Sequence, residues 1–389
     1  MPTPAAPEGL PSNTVFNYHG DDATDTKGPT MNETAPASTD TAAEAHSTRG
    51  AYVSAGKAFD RDMNYIDDRI TRDGRDGWPV EAGRYRLTAA RACPWANRTL
   101  ISRRLLGLED VISVGMPGPT HDKRSWTFDL DPGEVDPVLG YERLQQAYFA
   151  RFPDYPRGIT VPAVVDVPTK AVVTNDFQQI TLDLATEWTA HHRAGAPDLY
   201  PEAQREEIDA LNKWMLHRVN NGVYKVGFAG SQEDYEREYT LLWEALDELE
   251  ERLGRSRYLM GPSITEADVR LFPTLIRFDP VYHGHFKANR QTLASMPNLW
   301  NYAKDLFQTP GFGDTVDFAQ IKRHYYYVHE DINPTRIVPS GPALEPLLEP
   351  HDRDRFETDT WGPGGTAPEA PLAAEVVDPA HTPLHLTGR

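Results

Sequence analysis

The run Arg84-Tyr85-Arg86-Leu87-Thr88-Ala89 predicts a short β-strand, and Cys93-Pro94-Trp95-Ala96 follows it closely. From Ala96 to Leu108 the apolar residues recur at helical spacing, which predicts a helix; they are Leu100, Ile101, Leu105 and Leu108. Cys93 thus stands at the start of that helix, where free backbone amides and the helix dipole favour a thiolate. We expect a pKa for Cys93 of roughly 3.5–7.5, below that of free cysteine.

Two neighbours extend this interpretation of Cys93 as a catalytic thiolate. Pro94 has no amide to leave unpaired in the first helical turn and presets the backbone angle. Ala96 stands where a dithiol oxidoreductase has its second cysteine, and Cys93 is the single cysteine of the chain. An external thiol must therefore resolve any mixed disulfide on Cys93. The alternative is that Cys93 is an unreactive, buried small residue.

The first half of the chain, residues 51–190, predicts alternating strands and helices. Val111-Ile112-Ser113-Val114 predicts a second strand, and an insertion with a helix at 139–152 follows. Two more strands are predicted at 160–165 and 171–173, and then a helix whose apolar face carries Phe177, Ile180, Leu184 and Trp188. This order is that of an α/β thioredoxin-like domain with a lengthened crossover.

The second half, residues 203–338, is predicted to be all-α. Ile208, Leu211, Met215 and Val219 form one apolar stripe, and Leu242, Leu246, Leu249 and Leu253 form another that Gly254 ends. A third helix begins at Thr265, with Asp268 placed for a capping box. A thioredoxin-like domain followed by a helical domain is the glutathione-transferase architecture.

The two ends of the chain have a different composition. Residues 1–50 are rich in Pro, Thr, Ala, Asp and Gly, and residues 339–389 form a Pro- and acid-rich tail. Segments with so few large apolar side chains bury too little surface to offset their ordering entropy. We expect disorder in both tails and no chemistry in either.

Composition also limits partners and location. The 389-residue chain has a net charge of −19, which argues against nucleic acid or anionic membrane as a partner. It has no apolar run of membrane-spanning length and no signal-peptide layout at its start, and a lone cysteine suits a reducing cytosol. We expect a cytoplasmic protein. The spacing of His283, His285, His324 and His329 predicts no metal site.

Three further positions are candidates for binding a thiol. In thioredoxin-like folds a cis-proline faces the active cysteine, so Val161-Pro162 would offer the Val161 backbone to a bound thiol; an ordinary edge-strand proline is the alternative. In Asn175-Asp176 the carboxylate of Asp176 can cap the following helix or hold the ammonium of a γ-glutamyl group. Trp126 can wall the thiol site or lie in the core or a lid.

These residues together resemble the Xi-class glutathione transferases, the glutathionyl-hydroquinone reductases. The resemblance spans roughly residues 60–342. Five strings in the right order carry it: residues 91–100 around Cys93, Thr160-Val161-Pro162, Asn220-Asn221-Gly222-Val223-Tyr224-Lys225, residues 275–282, and His324-Tyr325 with Ile332-Asn333-Pro334-Thr335 and Ser340-Gly341-Pro342.

The resemblance implies roles for individual residues. Cys93 is then the nucleophile, and the thiol co-substrate is bound by Trp126, Arg157, Val161, Asn175 and Asp176. Arg157 lies one place earlier than the family's arginine relative to the Val161-Pro162 step. The resemblance also implies a homodimer through the helical domain. The three active-site tyrosines of the family fall on Tyr224, Tyr282 and Tyr325.

The chain departs from the family pattern at two places. Asn97 stands where the family usually has His, and Asp176-Phe177 stands where it has Glu-Ser. The Glu-Ser pair grips the γ-glutamyl end of glutathione. The co-substrate is therefore glutathione or a related small thiol such as γ-glutamylcysteine or mycothiol.

The activity that follows is removal of a small thiol from thiol–hydroquinone conjugates through a mixed disulfide on Cys93, with a small-molecule quinol conjugate as substrate. Two alternatives stay open. One is glutaredoxin-like removal of glutathione from disulfides, and the other is a non-catalytic scaffold with a transferase fold.

Overall fold

The computed structural model describes residues 59, 61–63, 65–122, 124–372 and 375. The predicted N-terminal tail, residues 1–50, lies outside the described residues, as does the chain beyond residue 375. In the part that is described, no helix combines the length and the apolar character needed to cross a bilayer.

A four-stranded mixed sheet forms the centre of the first half. Its strands are β1 (Tyr85–Thr88), β2 (Ser113–Gly115), β3 (Ala163–Asp166) and β4 (Ala171–Thr174). The order across the sheet is β2-β1-β3-β4. Strand β2 runs parallel to β1, whereas β3 is antiparallel to both β1 and β4. This topology confirms the predicted thioredoxin-like order.

Three helices accompany the sheet: α1 (Pro94–Leu106), α2 (Gln145–Arg151) in the insertion and α3 (Phe177–Thr186). Helix α1 begins with a proline, whose missing N–H costs nothing there, and ends at Gly107 in the left-handed conformation, φ 70°. Helix α3 begins after Asp176, whose carboxylate caps it. The ends of both helices therefore follow from local sequence.

The second half is helical, as predicted. The predicted capping box forms at the start of its central helix, where the Thr265 N–H donates to the Asp268 carboxylate at 2.8 Å. Wider π-type turns occupy residues 216–220 and 278–282. The helices are α4 (Arg205–Met215), α5 (Gly222–Gly227), α6 (Gln232–Leu253), α7 (Glu266–Ile276), α8 (Pro297–Gln308) and α9 (Phe318–Val328).

Helix α1 is the element that joins the two halves. It packs against α3 on the side of the sheet and against α7 of the helical half, and all of its residues are buried. One continuous cluster of buried apolar residues spans both halves. The domain boundaries 51–190 and 203–338 stay a prediction, but the packing places the carboxyl end of α7 beside the amino end of α1.

The expectation of disorder in the C-terminal tail is wrong for residues 339–372. Arg353 is fully buried, and it donates to the carbonyls of Leu253 and Arg257, both at 2.8 Å, at the end of α6. The Ile264 N–H donates to the carbonyl of Thr360 at 3.0 Å. Few apolar side chains are needed here, because a buried arginine and backbone hydrogen bonds hold an extended segment against the helical half.

Candidate active site

Cys93 occupies the N-cap position of α1 in an extended conformation, φ −80° and ψ 124°. Its side chain is buried, and its Sγ lies 3.5 Å from the carbonyl oxygen of Val161, to which the thiol donates. The Val161–Pro162 peptide bond is cis. The predicted pairing of the cysteine with a cis-proline loop is therefore confirmed.

The expectation that the pKa of Cys93 is lowered is wrong. Burial raises the pKa of this thiol above its ordinary value, because a thiolate loses its hydration there. The backbone N–H groups of Ala96 and Trp95 and the positive charges of Arg277 and Arg61 act in the opposite direction. The helix terminus alone thus does not offset burial, and the thiolate also depends on the cations around it.

A cavity lies beside Cys93, lined in part by Arg157, Val161 and Asn175. These three residues belong to the predicted thiol-binding set, and the structure brings them together. We call Cys93, Arg157, Val161, Asn175 and Asp176 the thiol side of the site.

Asn175 and Asp176 already have partners within the protein. The Oδ1 of Asn175 accepts from the Ile66 N–H at 2.7 Å, and its Nδ2 donates to Thr160 Oγ1 at 2.8 Å. Asp176 Oδ1 accepts from the N–H of Gln178 at 3.0 Å and also from that of Gln179. Capping, one of the two roles expected of Asp176, is therefore observed.

Phe177 forms an apolar wall of the same cavity. Its ring centroid lies 4.6 Å from that of Trp95 and 5.4 Å from that of Tyr65, edge-on to the latter. A serine at this position would supply a hydroxyl, whereas Phe177 supplies only a ring face. This part of the cavity suits an apolar or ring-shaped portion of a ligand better than a charged one.

Arg61, Asp62 and Tyr65 also line the cavity, with Phe59 packed nearby, which the sequence analysis did not predict. The Phe59 ring stacks on Tyr224 at 5.8 Å. Arg61 places its guanidinium 4.4 Å from the centroid of the Trp95 ring, and Asp62 forms an ion pair with Arg157. No local pattern marks these residues, because their contacts are with side chains far along the chain.

Three tyrosine hydroxyls meet near Cys93, whose charge acts on two of them. Tyr224 on α5 and Tyr325 on α9 place their Oη atoms 2.6 Å apart, and Tyr282, the last residue of the π-type turn at 278–282, places its Oη 3.0 Å from that of Tyr325. The structure therefore assembles the three tyrosines from three separate elements, with Tyr325 bonded to both others. We call Tyr224, Tyr282 and Tyr325 the tyrosine side.

The tyrosine side consists of neutral hydroxyls. Burial raises the pKa of Tyr224, Tyr282 and Tyr325 above the ordinary value. The charge of a Cys93 thiolate raises the pKa of Tyr224 and Tyr282 further. Neutral phenols in a hydrogen-bonded group can donate to an oxygen and pass a proton along the group.

Trp126 lies on the tyrosine side rather than in the lining of the cavity beside Arg157. Its buried indole stacks on His324 at 5.1 Å, and His324 Nδ1 lies 2.8 Å from the Pro119 carbonyl, to which it donates. Next to His324 and Tyr325 lies His329, whose Nδ1 is 3.1 Å from His285 Nε2. Burial lowers the pKa of His324 to about 3 and that of His285 to about 4.

Arg277 is a second residue that the sequence analysis did not single out. It is fully buried and bonded to the backbone just before Cys93. An arginine within the otherwise apolar run Leu275-Ile276-Arg277-Phe278 was the available signal. Across the described ranges, no group of three or more His, Cys, Asp or Glu side chains is placed to hold a metal ion.

Two family models match the chain. The model described as "Glutathione S-transferase, N-terminal domain" matches residues 92–187, and the model described as "Glutathione S-transferase, C-terminal domain" matches residues 232–305. The two matches include the helix that follows Cys93 and the core of the helical half.

Characterised relatives cover most of the chain. Glutathionyl-hydroquinone reductase YqjG of Escherichia coli (strain K12) is 42% identical over 317 residues, which cover 81% of this chain and 96% of the relative. Glutathionyl-hydroquinone reductase PcpF of Sphingobium chlorophenolicum is 43% identical over 283 residues, covering 71% of this chain and 88% of the relative.

Solved structures agree. A glutathione transferase from Gordonia bronchialis DSM 43247 is 67% identical, with a TM-score of 0.80 over 81% of this chain and 98% of that one. The glutathione-bound structure of YqjG from Escherichia coli K-12 is 42% identical, with a TM-score of 0.71 over 75% of this chain and 97% of that one. The predicted architecture, a thioredoxin-like domain followed by a helical domain, is confirmed.

Proposed function

Because this chain belongs to the Xi-class glutathione transferases, we propose that it is a glutathionyl-hydroquinone reductase. It removes a small thiol from thiol–hydroquinone conjugates through a mixed disulfide on Cys93. The observation that carries this proposal is that the Cys93 thiol, bonded to the Val161 carbonyl, interacts electrostatically with two of the three bonded hydroxyls of the tyrosine side. A sulfur nucleophile and a set of proton donors thus flank one site.

The first chemical step breaks a carbon–sulfur bond. While the quinol ring is aromatic its carbon is a poor leaving group, so the ring first shifts to its keto tautomer. The Cys93 thiolate attacks the sulfur of the conjugate, a disulfide forms, and the electron pair of the carbon–sulfur bond returns to the ring as a quinolate. The tyrosine side holds the quinol oxygens and supplies the proton.

The second step restores the enzyme. A second thiolate attacks the outer sulfur of the mixed disulfide, which yields a small-molecule disulfide and returns Cys93 as a thiolate. Overall, the conjugate is reduced to the free quinol, and one free thiol is joined to the sulfur of the conjugate in a disulfide. Because the chain has a single cysteine, the resolving thiol comes from outside.

The co-substrate is the finer part of the proposal. The glutathione-bound structure of YqjG supports glutathione. Phe177 replaces a hydroxyl by a ring at the γ-glutamyl end of the cavity, which favours comparison with γ-glutamylcysteine and mycothiol. The thiol with the highest kcat/KM in the resolving step is the one the site selects.

We propose further that the protein acts in the cytoplasm as a homodimer. The single cysteine suits a reducing compartment, and the family resemblance supports a dimer through the helical half. Sedimentation equilibrium of the purified chain would test the assembly, since a monomer at micromolar concentration contradicts it.

Replacement of Cys93 by Ala tests the reaction. We expect release of quinol from S-glutathionyl-hydroquinone to fall by at least about 10³-fold, since the covalent route is lost. Quinol release is followed by liquid chromatography, and mass spectrometry of the wild-type protein should find a thiol adduct on Cys93. The mass of that adduct identifies the thiol.

Ser102→Ala is the matched control, because Ser102 is buried on the same helix and lies near the far end of it. That variant should keep wild-type turnover. Retained turnover in Cys93→Ala would exclude the mechanism. Faster turnover of glutathionylated peptides than of the quinol conjugate would favour a glutaredoxin-like activity, and failure of the wild type to bind any thiol would favour a scaffold.

A further inference from the structure

Arg277 is a buried cation at the carboxyl end of α7, where it forms the C-cap. Its side chain is fully excluded from solvent. A guanidinium does not lose its proton at physiological pH, so its burial requires compensating partners. The nature of those partners indicates what the residue does.

All the hydrogen bonds of the Arg277 guanidinium end on neutral oxygens. Nε donates to the Ala92 carbonyl at 3.1 Å, and Nη2 donates to the Arg91 carbonyl at 2.8 Å. Nη1 donates to Asn97 Oδ1 at 3.1 Å and to the Pro273 carbonyl at 2.9 Å. Three of these four oxygens belong to the turn and first helical residues that surround Cys93.

Three other buried arginines of this protein pair with a carboxylate or a helix end, whereas Arg98 donates to the Arg270 carbonyl. Arg270 pairs with Glu266, and Arg86 pairs with Asp136. Arg353 lies at the carboxyl end of α6, where unpaired carbonyls are negative. Within the described residues Arg277 forms no ion pair with Asp or Glu.

The carboxyl end of α7 offsets part of the Arg277 charge, because the Pro273 carbonyl belongs to its last turn. On its other side, however, Arg277 faces the amino end of α1, which is itself positive. Two positive groups at one place favour an anion that forms close to both of them. The ionisable group at that end of α1 is Cys93.

We propose that Arg277 is the positioning and charge-balancing residue of the Cys93 thiolate. It holds the Arg91 and Ala92 carbonyls, and therefore the N-cap turn, in one conformation. This inference rests on the proposed function, in which Cys93 is the nucleophile. Arg277 then acts each time the Cys93 thiolate forms, which happens before attack on the conjugate and again when Cys93 leaves the mixed disulfide.

The pKa of Cys93 responds to several neighbours. The charge of Arg277 lowers it against the effect of burial, and Arg277 also lowers the pKa of Tyr282 and Tyr325. Among the described residues, the charged or titratable groups that interact with Cys93 include Arg61, Tyr65, Arg98, Tyr224, Arg277 and Tyr282.

Alkylation of the single cysteine provides the test. The rate of reaction of Cys93 with iodoacetamide is measured from pH 6 to pH 10 in the wild type, in Arg277→Gln and in Arg277→Lys, with thiolate absorbance as a second readout. Loss of the charge in Arg277→Gln should raise the Cys93 pKa by about one unit and slow alkylation roughly tenfold at neutral pH. Arg277→Lys keeps the charge but cannot hold both carbonyls, so its shift should be smaller.

Arg103→Gln is the matched control. Arg103 is buried near the far end of the same helix, where it donates to the Ile112 carbonyl and pairs with Glu375. Replacement of Arg103 by Gln should lower the melting temperature and leave the pH dependence of Cys93 alkylation unchanged.

A wild-type pH profile in the Arg277 variants that fold, or an equal shift in Arg103→Gln, would overturn the proposal. Alkylation needs no quinol. A shifted profile in a protein that proves inactive on quinol conjugates would therefore support the role of Arg277 while the proposed reaction fails.

Discussion

The thiol side and the tyrosine side differ in how the chain builds them. The thiol side comes from residues 93–176, at helix starts and at a strand entrance. Backbone groups place Cys93 and Asp176, whereas Arg157 pairs with the Asp62 side chain. The tyrosine side comes from residues 224–325, on three elements of the helical half, and side-chain hydrogen bonds hold it together.

This difference corresponds to two kinds of chemistry. The thiol side stabilises a charge on sulfur, which requires amides and cations at fixed positions. The tyrosine side presents neutral hydroxyls, which requires burial that keeps protons on phenols. We therefore expect thiol exchange to depend on the thiol side alone and release of the quinol to depend on both the thiol side and the tyrosine side.

The largest effect expected within this comparison is that of Tyr325→Phe. Tyr325 bonds to both other tyrosines, so its loss breaks the group while the ring is kept. We expect kcat for quinol release to fall about 10²–10⁴-fold, the range of a lost general acid. Reduction of a small mixed disulfide, which needs no proton on a ring carbon, should stay within a fewfold of wild type.

Tyr258→Phe is the control for that experiment. Tyr258 is buried in the helical half, and its hydroxyl bonds to Thr360 at 3.1 Å, away from Cys93. It should leave both activities intact. If Tyr325→Phe lost quinol release and disulfide reduction equally, the tyrosine side would not be specific to quinol release.

A smaller effect is expected on the thiol side from Asp176→Ala. The Asp176 carboxylate caps α3, so its removal should lower the free energy of unfolding by about 1 kcal/mol. If Asp176 also meets the co-substrate, the KM for the thiol should rise while kcat for a saturating thiol changes little. Chemical denaturation and initial rates measure the two quantities.

Asp176→Asn separates the two roles, because an asparagine can still cap the helix but carries no charge. We expect it to restore stability and to keep the raised KM. A wild-type KM in both variants would assign Asp176 to capping alone.

The smallest effect expected concerns acid and the histidines behind the tyrosine side. Burial lowers the pKa of His285 from 6.5 to about 4, so between these values the unfolded chain binds a proton that the folded protein does not. The stability contribution is therefore full above pH 6.5 and declines as the pH falls towards 4. Replacement by Gln should reduce the fall in melting temperature between pH 7 and pH 5 by about 2 °C.

His217 provides the comparison, because it is exposed to solvent. His217→Gln should leave the pH dependence of the melting temperature as it is in the wild type. A pH dependence that is the same in His285→Gln and the wild type would show that His285 does not contribute to acid sensitivity.

Several features of the site could be predicted because their causes are local. A strand followed by Cys93 and Pro94 predicts a helix start, and Asp176 predicts a cap. The Val161–Pro162 step was expected to be cis from its pairing with the cysteine, and the structure has it so. At the two helix starts a few neighbouring residues determine the backbone conformation, whereas the cis step was inferred from the pairing with Cys93.

Other features required contacts between distant residues. The predicted direction of the Cys93 pKa shift was wrong, because the burial of Cys93 depends on helices α3 and α7 packing around α1. No local sequence pattern indicates that packing. The prediction of disorder in the C-terminal tail was wrong for residues 339–372, because composition does not reveal that Arg353 bonds to the end of α6.

The amino-acid sequence by itself therefore determined the order of the strands, the nucleophile and its dependence on an outside thiol, since these follow from periodicity, helix ends and a cysteine count. Only the tertiary structure decided which groups surround the sulfur. Arg277 lies far from Cys93 along the chain, and it reaches the Arg91 and Ala92 carbonyls because α7 packs on α1. The physical reason is that charge, burial and hydrogen bonding act through space, whereas a sequence pattern records only neighbours along the chain.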